Sequence, residues 1–340
     1  MSHSNTDPRY LAAMFPPYLL LELSMVAREQ GVEPGVLCRG LGFTIEDLYD
    51  PACRVSFRQA SLMIQRALKA VPVEGLGLRV GGHNTLSTLG LVGHAARVSK
   101  TFAEGLALGL RYEVATGGLM HETLGSDKSC VWLQSEPRFP EPDIQIFVVE
   151  ELFSSLQVYA RELMGASFSF LRLEFAHSAP TYAAEYGRVF GVPVKFGCAS
   201  NRCFIDLAWL ERPLPGYHPL ALREACTLLE AWSVGQQDKD DLCNAVERAI
   251  YKTVARGASI EAIAQELNMS GRTLRRRLSV LGLSFESLLE SVRKTRALSL
   301  LAHSGVSIEQ VASETGYSDV RNFRRAFKRW MGVSPSEMRA

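Results

Sequence analysis

The sequence predicts two domains. The first is an α+β domain over residues 1–235. The second is an all-α domain over residues 236–340, built from two helix-turn-helix units joined by a central helix. Three observations predict this. The chain has 340 residues, and at roughly 150 residues per domain that suggests two. A segment recurs near the C-terminus at an offset of 48 residues, a sign of a duplicated unit. Upstream of it, stretches of helical period mix with short alternating ones.

Composition narrows the class. Apolar residues are 47% and charged residues 21%, which excludes a disordered or fibrous chain. No apolar run approaches the ~20 residues of a membrane helix. The longest, Tyr18 to Ala27, carries Glu22. The start, MSHSNTDPRY, lacks the basic residues and apolar stretch of a secretory leader. We expect a soluble cytoplasmic protein with no membrane partner. Cys38, Cys53, Cys130, Cys198, Cys203, Cys226 and Cys243 are too scattered for a disulfide framework, and a reducing compartment keeps them as thiols.

Taken in order, Leu19–Glu29 and Phe57–Val71 read as helices, and Thr88–Val98 with Thr101–Tyr112 as a helix pair. Thr116–Leu124 and Cys130–Ser135 alternate as strands do, separated by Gly125–Lys128. Ile144–Leu163 reads as a long helix. Phe168–Phe175 reads as a strand whose alternation slips by one residue after Phe170, through a bulge or burial of both faces. Thr181–Phe190 is helical and Arg202–Asp206 a short strand.

Chemical motifs are sparse in this part. Gly75–Gly82 is glycine-rich, but it does not follow a strand and open a helix, so it is not read as a phosphate loop. His3, His83, His94, His121, His177, His218 and His303 show no metal-ligand spacing, so no metal site is expected. Cys198 and Cys203 fit a redox pair or two idle thiols. With no catalytic constellation and no Gly-x-Ser-x-Gly, neither an enzyme nor a cofactor is expected. Phe102, Tyr112, Trp132, Phe147, Phe153 and Tyr159 suit a core, and a subset suits an apolar pocket with polar anchors. His94, Arg111, Tyr112 and His121 are the candidate anchors for a small-molecule effector.

Leu220–Trp232 reads as a helix with Leu222, Ala225, Cys226, Leu229 and Trp232 on one face. The polar stretch Ser233–Asp241 follows as a linker or helix start, which places the domain boundary near 236. Charge divides there too. Residues 236–340 hold 17 Lys+Arg against 12 Asp+Glu, net +5. Residues 1–235 hold 20 against 24, net −4. The asymmetry suggests an anionic partner for the C-terminal domain, with ordinary surface variation as the alternative.

The repeat sharpens that choice. Ser259–Ser270 lies over Ser307–Ser318. With one residue inserted after the second serine, Thr273–Leu278 lies over Asn322–Phe327. Each copy reads helix, tight turn, helix. Ser259 caps a helix with Ile260, Ile263, Ala264 and Leu267 inward. Asn268 takes the turn, and Ser270 caps a helix burying Leu274 and Leu278. In the second copy Ile308, Val311 and Ala312 face inward and Gly316 takes the turn. Ser318 is expected to cap a helix burying Phe323, Phe327 and Trp330. Outward, Arg272, Arg275 and Arg276 stand at i, i+3 and i+4, and Arg321, Arg324 and Arg325 repeat that spacing, extended by Lys328. Guanidinium groups pair with phosphates and with guanine edges in the major groove. Two such faces in duplicated units point to double-stranded DNA rather than to a solvated basic surface. Phe285–Ala302 reads as one connecting helix of ~27 Å, against ~34 Å between successive major-groove faces.

Ile260–Arg339 resembles the DNA-binding domain of AraC/XylS-type transcription regulators. The most specific residues are Gly316-Tyr-Ser-Asp319, Asn322-Phe-Arg-Arg-Ala-Phe-Lys-Arg-Trp330 and Gly332-Val-Ser-Pro335. The resemblance implies a seven-helix domain. It puts base-reading positions on Arg272, Arg275 and Arg276 of the first unit and on Val320, Arg321, Arg324 and Arg325 of the second, with Asn322 beside them. Arg321 stands where the family often has serine, which adds a phosphate contact or changes a base preference. The N-terminal domain is similar to the arabinose-binding-type domain of a subgroup close to ornithine-utilisation regulators. The residues that carry this are Gly90-Leu-Val-Gly93, Thr101–Leu106, His177-Ser-Ala-Pro180, Tyr186–Val194, Phe196-Gly197, Asn201 and Leu210–Pro215. That resemblance implies effector sensing by residues 1–235, with dimerisation as a companion role. We therefore expect a ligand-responsive activator with promoter DNA, RNA polymerase and a small-molecule effector as partners, and with a homodimer allowed. The alternatives are a constitutive DNA-binding protein whose N-terminal domain only dimerises, and an enzyme fused to a DNA-binding module.

Overall fold

In a computed structural model, residues 8–235, 241–301 and 306–339 are described. The chain divides into two compact units, Met1–Asp238 and Lys239–Ala340. The expected boundary at 235/236 adjoins residues 236–240, which lie outside the described residues. So do the N-terminal start, His3, His303 and the expected connector end at Ala302. No helix among the described residues is long and apolar enough to cross a membrane.

The first unit is α+β. Its sheet runs β1 (Met120–Ser126), β2 (Cys130–Pro137), β5 (Asn201–Asp206), β3 (Arg172–Glu174), β4 (Val194–Lys195), antiparallel throughout except for β3 with β4. The β1–β2 turn is built by Asp127, whose Oδ1 accepts from the backbone N–H groups of Ser129 (2.7 Å) and Cys130 (2.9 Å). Those bonds hold its carboxyl down at about 2. β1 starts at Met120, because Glu113–Thr116 forms a 3-10 turn that ends at Gly117 in the left-handed region. The expected strand from Phe168 is also shorter. A turn bonds Phe168 N–H to Gly165 O at 3.0 Å, and only Arg172–Glu174 joins the sheet. The slip in alternation is this change from turn to strand: Phe168, Phe170, Leu173 and Phe175 are buried while Leu171 is 42% exposed.

The long helix Pro142–Met164 is the spine of this unit. The glycine-rich segment packs on it as a helix, Leu76–His83, opened by Gly75 in the left-handed region. A Cβ at Gly77 would stand 2.4 Å from the Phe147 carbonyl oxygen, and one at Gly81 would stand 2.3 Å from that of Glu151. The glycines, four residues apart, therefore let two backbones touch. Gly75 therefore does open a helix, contrary to the sequence reading of 75–82. The motif residues Tyr186, Phe190 and Phe196 converge with Phe175 and Phe153 in one aromatic cluster. Cys203 lies buried in β5, with its thiol pushed up by burial to about 12, and Cys198 is also a free thiol. The helix Pro219–Gly235 continues through Ser233, which the sequence reading assigned to a linker.

The second unit is helical. A helix that opens at the end of the expected linker or helix start, Asp241–Thr253, gives Val246, Ala249 and Ile250 to the first of two small cores. The connecting helix Phe285–Leu301 puts Phe285, Leu288 and Val292 into that core and Ala297 and Leu301 into the second. One continuous helix thus fixes both halves.

Candidate functional site

The C-terminal unit displays two basic helices on caps that the sequence sets. In the first copy Ser259 Oγ accepts from Ala262 N–H, and Ser270 Oγ accepts from Thr273 N–H at 3.2 Å. Between them Asn268 holds φ +56°, a conformation that its short amide side chain tolerates. In the second copy Ser307 and Gln310 form a capping box. Gly316 holds φ +76°, and a Cβ there would meet the Val254 carbonyl oxygen at 2.1 Å. Ser318 is not the cap of the helix that follows. Asp319 is, its Oδ1 accepting from Arg321 N–H at 2.8 Å. The one-residue insertion between the copies lengthens this turn and passes the capping role to Asp319.

The basic faces are exposed on Gly271–Val280 and Val320–Met331. Leu274 and Leu278 anchor the first helix, and Phe323 and Phe327 the second. Trp330 is only partly buried and donates Nε1–H to Glu290 at 2.6 Å. Arg272, Arg275, Arg276, Arg321, Asn322, Arg324 and Arg325 are all exposed, and Val320 is half-buried. Arg275 donates to Glu261 at 2.7 Å, and Arg325 donates to Asn322. The hydrogen bond from Arg275 holds the Glu261 carboxyl below its ordinary range. Arg293 of the connecting helix donates to Gly316 O at 3.2 Å, and Arg296 donates to Tyr251 O at 3.0 Å. These arginines brace the frame from inside, while those of the two basic helices face outward.

The N-terminal unit holds a cavity of about 140 Å³. It lies among the helices Gly90–Arg97, Phe102–Arg111 and Pro142–Met164 and the strands β1 and β2. Its walls are mostly apolar, with Val92, Phe102, Leu106, Leu133 and Leu156 among them. Its polar lining includes Glu122, Glu151, Asn84, Ser155 and Tyr159. Asn84 Nδ2–H and Ser155 Oγ–H both donate to Glu151 Oε1 at 2.9 Å. Burial pushes the Glu151 carboxyl up to about 7. Burial, then repulsion from Glu113, pushes Glu122 up to about 8. Oε1 of Glu122 is buried without a hydrogen-bond partner.

None of the four expected anchors lines this cavity. His94 is exposed, on the face of its helix opposite the cavity-lining Val92 and Ala96. Arg111 is exposed, 3.3 Å from Glu230. Tyr112 is buried in a separate cluster with Val92, Ala95, Ala225 and Leu229. His121 is exposed, with Nδ1 3.0 Å from Glu113. Its neighbour Glu122 reaches the cavity instead, because successive strand residues face opposite sides. Glu151 was missed as well, although Ile144, Val148, Glu151 and Ser155 share one helix face, where a carboxylate among apolar residues is a visible signal.

A double helix-turn-helix unit with two basic faces defines a DNA-binding protein, and its companion domain defines the kind. Residues 31–214 match the arabinose-binding domain of AraC transcription regulators, and residues 263–340 match a helix-turn-helix domain. The chain belongs to the AraC family of transcription regulators, in the group with an arabinose-binding-type N-terminal domain. It is 29% identical to the ornithine utilization regulator of Pseudomonas aeruginosa, over 93% of each chain. It is 28% identical to an HTH-type transcriptional regulator of Mycobacterium tuberculosis, over 95% of each. The crystal structure of the transcriptional regulator CdpR from Pseudomonas aeruginosa shares the fold, with TM-score 0.50 at 22% identity over 95% of this chain and 98% of that one.

Proposed function

We propose that the chain is an effector-responsive, cytoplasmic activator. Residues 1–235 take up a small molecule in the cavity beside Glu122 and Glu151. Residues 236–340 hold promoter DNA, with Arg272, Arg275 and Arg276 in one major-groove segment and Val320, Arg321, Asn322, Arg324 and Arg325 in the next. The observation that carries this reading is the repeated basic face on two helices whose cores share one connecting helix. Seventeen residues give that connector about 25 Å, which suits successive grooves on one side of the duplex. Arg272, Arg276, Arg321 and Arg324 have no side-chain partner among the described residues, so they meet DNA without breaking a protein contact. Arg275 must first leave Glu261.

The effector acts by binding one arrangement of the protein better than another, and the activated form recruits RNA polymerase. Leu220 and Leu228, each 57% exposed on Pro219–Gly235, offer an apolar face for a homodimer, which sedimentation of the full chain measures. The main test is fluorescence anisotropy of the full-length protein on DNA from its own flanking promoters against scrambled DNA, across a salt series. The expected result is tighter binding to one fragment, weakening linearly in log–log salt. Equal affinity for promoter and scrambled DNA, with and without candidate metabolites, would overturn it.

A further inference from the structure

The cavity constrains the chemistry of its occupant. Glu122 and Glu151 line it, and among the described residues no Lys, Arg or His does. Arg138 is the cation that offsets Glu122, but it lies 2.9 Å from Glu113, which His121 also engages. Glu151 faces Asn84 and Ser155 and feels the charge of Glu22, itself 3.2 Å from His83. The two cavity carboxylates also repel each other. An anion would add negative charge beside carboxyl groups that burial and mutual repulsion already keep partly protonated, with no cation among the described lining residues to receive it. A sugar would present hydroxyls all round to walls that are mainly aliphatic, each left without a partner at a cost.

Resting on the effector reading above, we propose that the effector is a small organic cation, a protonated amine on a short apolar body, whose ammonium group pairs with Glu122 and Glu151. The buried, unpartnered Oε1 of Glu122 receives an N–H donor. The apolar body meets Val92, Leu106 and Leu156. The volume of about 140 Å³ resembles the ~150 Å³ cavity that accepts benzene, so six to eight heavy atoms is about the size that fits. The raised carboxyls mean that near neutral pH one is still protonated. A single positive charge then balances the pair.

The probes are hexylamine, 1-hexanol, hexanoate and L-arabinose, titrated calorimetrically into the full chain at about pH 8. Hexylamine is expected to bind at least about tenfold tighter than hexanol, as a charge-assisted hydrogen bond in a buried site provides. Hexanoate and arabinose are expected not to bind. Glu122→Gln should lower the hexylamine affinity about tenfold while leaving hexanol unchanged, and Glu151→Gln is the second variant should the first misfold. Wild-type affinity for hexylamine should rise from about pH 6 to about pH 8, with proton release on binding. Ala160→Phe fills the cavity from the long helix and should abolish binding. If hexanol or hexanoate equals hexylamine and both are lost in Ala160→Phe, the cavity remains the effector site and the cation is wrong. If binding survives Ala160→Phe, or none of the four binds, the effector reading of the cavity fails as well.

Discussion

The two units carry their charge on opposite sides of their surfaces. The C-terminal unit keeps the arginines of its two basic helices outside, repeated at helical spacing, with Glu261 and Glu290 exposed or nearly so beside Arg275 and Arg329. The N-terminal unit folds carboxylates inward: Glu22 and Glu150 in the core and Glu122 and Glu151 around the cavity. The difference shows how each surface works. An exposed basic face needs only a helix and caps to present it. An inward carboxylate needs a tertiary partner for every oxygen, or a ligand that supplies one.

The largest expected effect tests whether the inward carboxylates are structural where they are satisfied. Glu150 Oε1 accepts from the hydroxyls of Tyr182, at 2.9 Å, and Tyr186. Tyr186 is completely buried, so Glu150→Ala leaves its hydroxyl only the ring Nε2 of His177, at 3.3 Å. We expect a loss of about 3 kcal/mol, for two hydrogen bonds to a carboxylate, measured by urea unfolding with hydrogen exchange reading each unit separately. Protection should fall in the N-terminal unit. A cost under about 1 kcal/mol would mean that Glu150 is no more tied into the fold than an exposed acid, and the contrast would break.

The outward charges should behave in the reverse manner. Arg276→Ala and Arg324→Ala should each weaken binding to a specific DNA site by about 1–3 kcal/mol if they read bases. Neither should move the melting temperature, since both side chains are exposed. If either contacts only phosphate, affinity should drop evenly across sequences and the salt slope should fall by about one. A shift in stability as large as the shift in affinity would show that the basic faces also hold the fold together.

The same contrast explains what was legible in the sequence. Exposed arginines on a repeated frame show themselves through period alone, and the serine caps at 259, 270 and 307 follow from local hydrogen bonding. The cap at 318 was misplaced because an insertion of one residue leaves two candidates, Ser318 and Asp319, and only the path of the chain decides. The cavity was not legible because its walls come from elements far apart in the chain. Asn84 reaches Glu151 only because Gly77 and Gly81 let their helix settle onto the long one. Residue type points to His121, while the strand's alternation turns its neighbour Glu122 toward the cavity. Tyr112 looked like a polar anchor, but its ring was needed by a separate cluster.

The smallest effect is the most discriminating, because the two units should respond to pH with opposite signs. In the N-terminal unit, native Glu122 and Glu151 hold protons up to about 8 and about 7, against about 4.3 for an unfolded glutamate. Between those values the native state binds more protons than the unfolded one. Its stability is complete below the unfolded value and is lost as pH rises through 7 and 8. In the C-terminal unit, hydrogen bonds hold carboxyls low: Arg275 on Glu261, Arg329 and then Trp330 on Glu290, and the Ser334 backbone on Glu337. Their contribution is present above the unfolded value and is lost as pH falls through the lowered native ones. Between pH 7 and 7.5 the N-terminal unit should weaken by less than about 1 kcal/mol while the C-terminal unit stays level. Hydrogen exchange corrected for intrinsic rate resolves the two. Replacing Glu122 and Glu151 together by Gln should flatten the N-terminal slope. Saturating hexylamine should also reduce it, since an ammonium partner favours the ionised native carboxylate and brings its proton occupancy closer to that of the unfolded chain. Equal slopes in both units would mean that the buried carboxylates are solvated like the exposed ones, and that the cavity holds no charge for a cation to meet.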